Sequence, residues 1–341
     1  MIEIDGSEGE GGGQMLRTAT ALSVLTGKAV RVHDIRANRP KPGLAAQHLC
    51  AVRGVANLCE AQVEGLEVGS TQITFAPGKV RPGRYRLDVG TAGSVTLVLQ
   101  ACLLASARCH EEMGLEIVGG TNVCWSPPID FYQRLLFPRL ASLGFQAQIV
   151  EMRRGFYPEG GGMAEVRFQA PRVVAPMPLS ERGEFLGVEG VCFSQNLPEH
   201  VCQRISHAVR KEMIGIEIAL TSASTSGVSI GAGVFLMARY DNAVLGADSL
   251  GERGVPAEQV GSLAAKALRQ EMDGLGTFDV HAADQLLPYL ALADGPSNFR
   301  VREMTGHLRT QIDLVRRFLG VRVESVETVA TVEVNVNPNC T

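Results

Sequence analysis

One order of elements occurs three times along this chain, and it limits the possible folds more than any other feature. "IEIDGSEGEGGGQMLRTATALSVLTGKAVRVHDIRANR" reads as strand, glycine loop, helix, β-branched strand and polar turn. "RLDVGTAGSVTLVLQACLLASARCHEEMGLEIVGGTN" repeats that order, and "FDVHAADQLLPYLALADGPSNFRVREMTGH" gives it again. After each turn come a second helix and two strands, as in "DFYQRLLFPRLASLGFQAQIVE" followed by "MAEVRFQAP". Each unit is therefore βαβαββ. One such unit is too small for a good core alone, so three are expected to pack as one body.

Spacing locates an interruption. The polar turns begin near Arg36, Gly119 and Met304, so the second interval is more than twice the first. The surplus is about 100 residues, the length of a small domain. The segment between the second and third units carries its own strand and helix pattern, from "EFLGVEGVCFSQN" to "AEQVGSLAAKALRQEM". The expectation is an α+β fold of two-layer α/β type. Its main catalytic body is residues 1–183 and 275–341, made of three βαβαββ repeats, with an inserted α/β domain at 184–274.

With 45% hydrophobic and 20% charged residues among 341, the chain has the composition of a soluble globular protein. "MIEIDGSEGE" has neither the positive nor the apolar region of a signal peptide, and "VTLVLQACLLASA" is too short to span a bilayer. A cytoplasmic protein without a membrane partner is expected. The eight cysteines form no CxxC pair, and sites such as Cys102 and Cys109 suit core thiols. A net charge of −4 argues against a general nucleic-acid coat, but leaves room for a small anion or one end of a nucleic acid.

The loop "DGSEGEGGGQMLR" joins strand to helix with Gly9, Gly11, Gly12 and Gly13, so backbone N–H groups can approach an anion at a helix start. It lacks the Gly-Lys-Ser/Thr of a P-loop, and the last glycine of a dinucleotide fingerprint would fall on Gln14. Glu8 and Glu10 would repel a bare phosphate, a conflict that a divalent cation held by Glu10 and a polyphosphate removes. A flexible turn with solvated acids is the alternative. "RANRPKPG" fixes three cations in a stiff turn, either a phosphate clamp or a solvated basic turn. "RRGFYPEGGG" is either a long hairpin loop or an anion site beside Arg153 and Arg154.

"HAADQLLPYLALA" opens the third unit with His281, Asp284 and Gln285, on the edge that the repeat assigns to Glu10 and the Gly93–Ser94 turn. Asp284 also suits a helix start for dipole reasons alone. The histidines at 33, 48, 110, 200, 207 and 281 form no HExxH or HxH pattern, so zinc is not expected. His307 differs. It opens an amphipathic helix, where the positive dipole end favours a neutral ring that is free to act as a nucleophile. A tolerated histidine at an exposed helix start is the plainer explanation.

Together, "EGEGGGQMLR", "RANRPKPG", "GTAGSVTLVLQ", "RRGFYPEGGG", "HAADQLLPYLALA" and "GHLRTQ" resemble the RNA 3′-terminal phosphate cyclase family over nearly the whole chain. The resemblance implies ATP-dependent conversion of an RNA 3′-phosphate to a 2′,3′-cyclic phosphodiester through covalent histidyl-AMP and RNA-(3′)pp(5′)A. It implies His307 as nucleophile, oriented by Asp284. Gln100 and the run His281, Ala282, Ala283, Asp284 and Gln285 would line the ATP site, with Pro128 and His281 sandwiching adenine where other members carry Tyr. Arg17, Arg39 and Gln47 would contact phosphates, and Glu10 would hold Mg²⁺ or Mn²⁺. The partners are then ATP and an RNA 3′-phosphate end, with monomer and homodimer both open. Rival readings are a non-catalytic cyclase-like ribosome-assembly protein, which lacks the nucleophilic histidine, an enolpyruvyl transferase of related repeats, and a Rossmann-type enzyme, opposed by the paired closing strands.

Overall fold

The structure, a computed structural model, describes residues 1–8 and 12–338. Its first sheet has the order β1-β2-β4-β3, built from β1 (Ile2–Asp5), β2 (Val30–His33), β3 (Gln62–Glu64) and β4 (Ile73–Ala76). β1 and β2 run parallel, which requires a crossover, and helix α1 (Gly13–Thr26) supplies it. Helix α2 (Ala46–Cys59) links β2 to the antiparallel pair β3 and β4. In β2, Val30 and Val32 are buried while Arg31 and His33 are half-buried, the period-two pattern of a strand with one face on the core. α1 is buried along nearly its whole length because α2 and two later helices pack around it.

The second sheet repeats this order as β5-β6-β8-β7, from β5 (Gly83–Asp88), β6 (Met113–Gly119), β7 (Gln146–Arg153) and β8 (Gly162–Gln169). Helix α3 (Val95–Ala105) makes the parallel crossover. The second link is α4 (Ile129–Phe131), a π-helical turn over Tyr132–Leu136, and α5 (Phe137–Ser142).

A further sheet, β10-β9-β11-β12, lies wholly between Phe185 and Leu250: β9 (Phe185–Gln195), β10 (Ile218–Thr225), β11 (Gly231–Tyr240) and β12 (Val244–Leu250). Helices α6 (His200–Glu212) and α7 (Ala257–Asp273) pack on each other and on this sheet. Both faces of β9 and β11 are buried. Val188, Cys192, Val234 and Leu236 join a core with Ile205, Val260 and Leu268, whereas the alternating Val191, Phe193, Phe235 and Met237 join the larger core of the other sheets. Arg154 cements the junction. It donates to both carboxylate oxygens of Asp130 at 2.7 and 2.9 Å, stacks 4.1 Å from the centroid of Phe193, and its carbonyl accepts from Gln195 Nε2.

The last sheet, β13-β15-β14, holds β13 (Ser297–Val301), β14 (Arg322–Glu327) and β15 (Val332–Asn337), with helices α8 (Val280–Leu290) and α9 (Gly306–Leu319). Here the structure corrects the sequence reading, because "FDV" forms no strand. Thr277 and Phe278 both donate to the carbonyl of Arg300, but Arg300 N–H turns to the Thr277 hydroxyl instead of a backbone oxygen, and Asp279 already caps α8. The parallel neighbour of β13 is instead Met177–Leu179, which precedes the 185–273 segment. Asn298 N–H donates to Met177 O at 3.2 Å and Leu179 N–H to Asn298 O at 2.9 Å, with Pro178 bridged to Asn298 in parallel. The architecture is mixed α/β, consistent with the α+β class. The described cysteines, from Cys50 to Cys202, are free thiols, and all but Cys124 are buried.

Candidate functional site

α9 is capped by Thr305, whose hydroxyl accepts from Leu308 N–H at 3.0 Å. His307 is therefore not needed as a cap, and its half-buried ring sits in the first turn. Leu308, Ile312, Val315 and Phe318 form the apolar stripe that holds α9 against the core. One turn beyond His307, Gln311 Nε2 donates to Thr18 Oγ1 of α1 at 3.0 Å. A narrow cavity of about 10 Å³, the volume of roughly one water, is lined by side chains of α1, α3, α8 and α9, among them Arg17, Gln100, Gln285 and Gln311. The sequence-predicted Arg17, Gln100 and Gln285 thus meet at one place. Arg17 Nε donates to Gln100 Oε1 at 3.3 Å. Burial lowers the Arg17 pKa to about 10, against the favourable pull of the nearby Asp284 carboxylate. Asp284 is itself buried.

At the start of α1, Gly12 supplies no side-chain cap. A Cβ at Gly13 would lie 2.2 Å from His48 Nε2 and 2.9 Å from Arg17 Nη1, so a larger residue there would have to displace those side chains. His48 Nδ1 accepts from Ala45 N–H at 3.1 Å, so in the neutral ring Nε2 carries the proton. Burial first, then Arg17 and Arg36, hold the His48 pKa down to about 3. The sequence reading missed His48, which looks like a core histidine until the fold brings its ring to Gly13. Its neighbour Gln47 reaches the next helix start, where Oε1 accepts from Ser94 N–H at 3.4 Å. Arg39 is exposed on the turn before α2, and Arg36 in the same turn is tied to Gly43 O.

Pro128 precedes α4, and the adjoining Pro127 carbonyl accepts from Thr96 Oγ1, which fixes this loop to the first turn of α3. His281 is exposed in the first turn of α8. Gly246 N–H of β12 donates to Asp279 Oδ2 at 2.9 Å, and desolvation, then the Asp130 and Asp279 carboxylates, push Asp248 of the same strand up to about 7. Ala282 and Ala283 are fully buried, and their N–H groups bond to Asp279. Glu10 lies outside the described residues. Elsewhere, Asp5, His33 and Asp34 bring potential ligand atoms within 4.8 Å of one another, enough to hold a divalent cation. However, the Asp34 carboxylate raises the His33 pKa, and Asp5 Oδ1 is occupied by Ser7. No helix among the described residues is long and apolar enough to cross a membrane.

The family model for RNA 3′-terminal phosphate cyclase matches residues 8–325. A protein of that name from Nitrosospira multiformis is 43% identical over 99% of this chain and 97% of its own length. The namesakes from Methanopyrus kandleri and Hyperthermus butylicus are each 45% identical, over 95% and 96% of this chain and 95% and 94% of their own lengths. A match that runs through every element around the cavity, at this identity and coverage, shows that the chain belongs to the RNA 3′-terminal phosphate cyclase family.

Proposed function

We infer that this protein is an enzyme, an RNA 3′-phosphate cyclase that uses ATP to convert an RNA 3′-phosphate to a 2′,3′-cyclic phosphodiester. Near-full-length identity to proteins named for that activity carries the reading. The convergence of Arg17, Gln100 and Gln285 on the helix that bears His307 supports it.

The chemistry then divides into three displacements. A ring nitrogen of His307 attacks the α-phosphorus of ATP, a P–N bond forms, and the bond to the β-phosphate oxygen breaks to release pyrophosphate. Asp284 holds the ring in the attacking orientation. An oxygen of the RNA 3′-phosphate next attacks the adenylate phosphorus, and the P–N electron pair returns to the imidazole. Finally the neighbouring 2′-hydroxyl attacks the 3′-phosphorus, loses its proton and expels AMP. That last step has an effective molarity of about 10⁵ M or more from vicinal placement alone.

Arg17, Arg39 and Gln47 would bind phosphate oxygens, Gln100 and residues 281–285 would line the nucleotide site, and Pro128 and His281 would flank adenine. Since Ala282 and Ala283 face the core, they would contribute shape rather than hydrogen bonds. Glu10 would hold a divalent cation, which when bound neutralises polyphosphate charge. The working compartment is the cytoplasm. In this reading the three sheets outside 185–273 descend from one βαβαββ unit, Met177–Leu179 standing as the third opening strand. Residues 1–183 and 275–341 are the catalytic body, with 184–274 inserted.

Incubation with ATP labelled at the α-phosphate, followed by denaturation, tests the reading. The wild type should retain label and His307→Ala none. A wild type that keeps no label and leaves RNA ends uncyclised rules it out.

A further inference from the structure

We propose that His48 is a second functional histidine, whose Nε2–H donates a hydrogen bond to an oxygen of a phosphate bound at the open start of α1 beside Arg17. This deepens the cyclase reading and rests on it.

Three independent observations meet at Gly13. The start of α1 has no side-chain cap at Gly12, so that position offers its first N–H groups no acceptor. One point, the place a Gly13 Cβ would occupy, lies within 2.9 Å of both His48 Nε2 and Arg17 Nη1, so the two side chains converge on the space that glycine leaves open. His48 is only 5% exposed, its Nδ1 is used by Ala45 N–H, and its Nε2 has no hydrogen-bond partner among the described residues. An imidazole N–H set beside an uncapped helix start and a guanidinium adds one more donor for an anion.

The charge state fits an anion that must also leave. Burial and the flanking Arg17 and Arg36 keep His48 neutral at physiological pH. It therefore adds a directed donor without another positive charge, next to a guanidinium that already supplies one. The tautomer is set by Ala45: the N–H taken by Nδ1 leaves the ring proton on Nε2, facing Gly13. Gln47, one residue earlier, reaches the Gly93–Ser94 turn, so adjacent residues of α2 serve two neighbouring helix starts. The phosphate has two possible sources, the polyphosphate of ATP and the RNA terminus.

His48→Asn separates the ring's two roles, because Asn Oδ1 can replace Nδ1 as acceptor for Ala45 while nothing replaces Nε2. His48→Gln restores an amide N–H near the Nε2 position. Each variant would be assayed for histidyl-AMP formation at varied ATP, and, from preformed adenylate, for transfer at varied RNA 3′-phosphate. His48→Asn should melt close to the wild type and need about 10- to 100-fold more of one substrate for half-saturation, the loss expected for one hydrogen bond to a charged group. His48→Gln should recover much of that loss. A raised requirement for ATP assigns the phosphate to the nucleotide, and for RNA to the terminus. Wild-type half-saturation for both substrates in a folded His48→Asn protein overturns the proposal. A separate readout needs no turnover: in ¹⁵N-imidazole spectra of the wild type, the His48 Nε2–H signal should move on titration with inorganic pyrophosphate or a 3′-phosphorylated nucleotide. If it moves with neither, this inference fails even where AMP labelling succeeds, whereas failed labelling with a shifting signal sinks only the cyclase reading.

Discussion

The starts of α1 and α8 present the same backbone and treat it in opposite ways. At α8 the buried Asp279 carboxylate accepts from His281 and Ala282 N–H, and also from Gly246 N–H of β12, so the helix start is closed from within. At α1 the capping position is Gly12, which has no side chain to accept, and the polar side chains set against Gly13 among the described residues are the donors His48 and Arg17. An acceptor satisfies the N–H groups, while added donors enlarge a site for an anion. One start is thus closed by its own cap, and the other has donors beside it.

Gly13→Ala should break the contrast with the largest effect. Its methyl would push His48 and Arg17 off their shared point, and cyclisation measured in single turnover should fall by about a hundredfold or more, the cost of roughly 1 Å misplacement. Next is Asp279→Ala, which opens α8. Leaving buried N–H groups unpaired should lower unfolding free energy in urea by about 2–3 kcal/mol.

A smaller effect concerns pH. Burial first raises the folded pKa values of Asp248 and Asp279 to about 7 and about 6 from the ordinary aspartate value of 3.8. The folded protein therefore holds these protons more tightly than the unfolded chain. The stability they contribute is full below about pH 4 and is lost as pH rises through 6 to 7. Asp248→Asn should flatten that decline and be more stable than the wild type at pH 8 by on the order of 1–2 kcal/mol, with little difference at pH 4, in paired denaturant titrations. The smallest change is Ser94→Ala, which removes a single hydroxyl cap from α3 and should cost about 1 kcal/mol.

Much of this molecule is legible in its sequence because periodicity and glycine placement are local signals. The first two sheets and α9 follow from alternation and helical spacing. Arg17, Gln100 and Gln285, which the resemblance assigns to phosphate contact and the ATP site, line one cavity. What is not legible depends on distant partners. "FDV" has the composition of a strand, but the Thr277 hydroxyl takes the Arg300 N–H that a ladder would use. Met177–Leu179 looks like linker, since its ladder partner among the described residues is Asn298, far along the chain. His48 reads as one more apolar-face histidine, and only folding sets its ring against Gly13 and tells the Nε2 edge from the Nδ1 edge. β9 and β11 read as strands, but they alternate between two cores, so no polar face tells which side meets which core.

The pairing of Met177–Leu179 with β13 has a consequence for how the protein is made. Met177 N–H bonds to Ser297 Oγ across 120 residues, a span whose closure is entropically expensive and slow for a free chain. Arg182 shortens it by donating to the carbonyls of Glu271, Met272 and Gly276, which draws entry and exit of the intervening segment to one point. During synthesis the early strand must wait, unpaired, until the ribosome has delivered everything up to β13. A segment that folds in the interval and pins its own two ends acts as a clasp, sparing the late-assembling sheet most of its search.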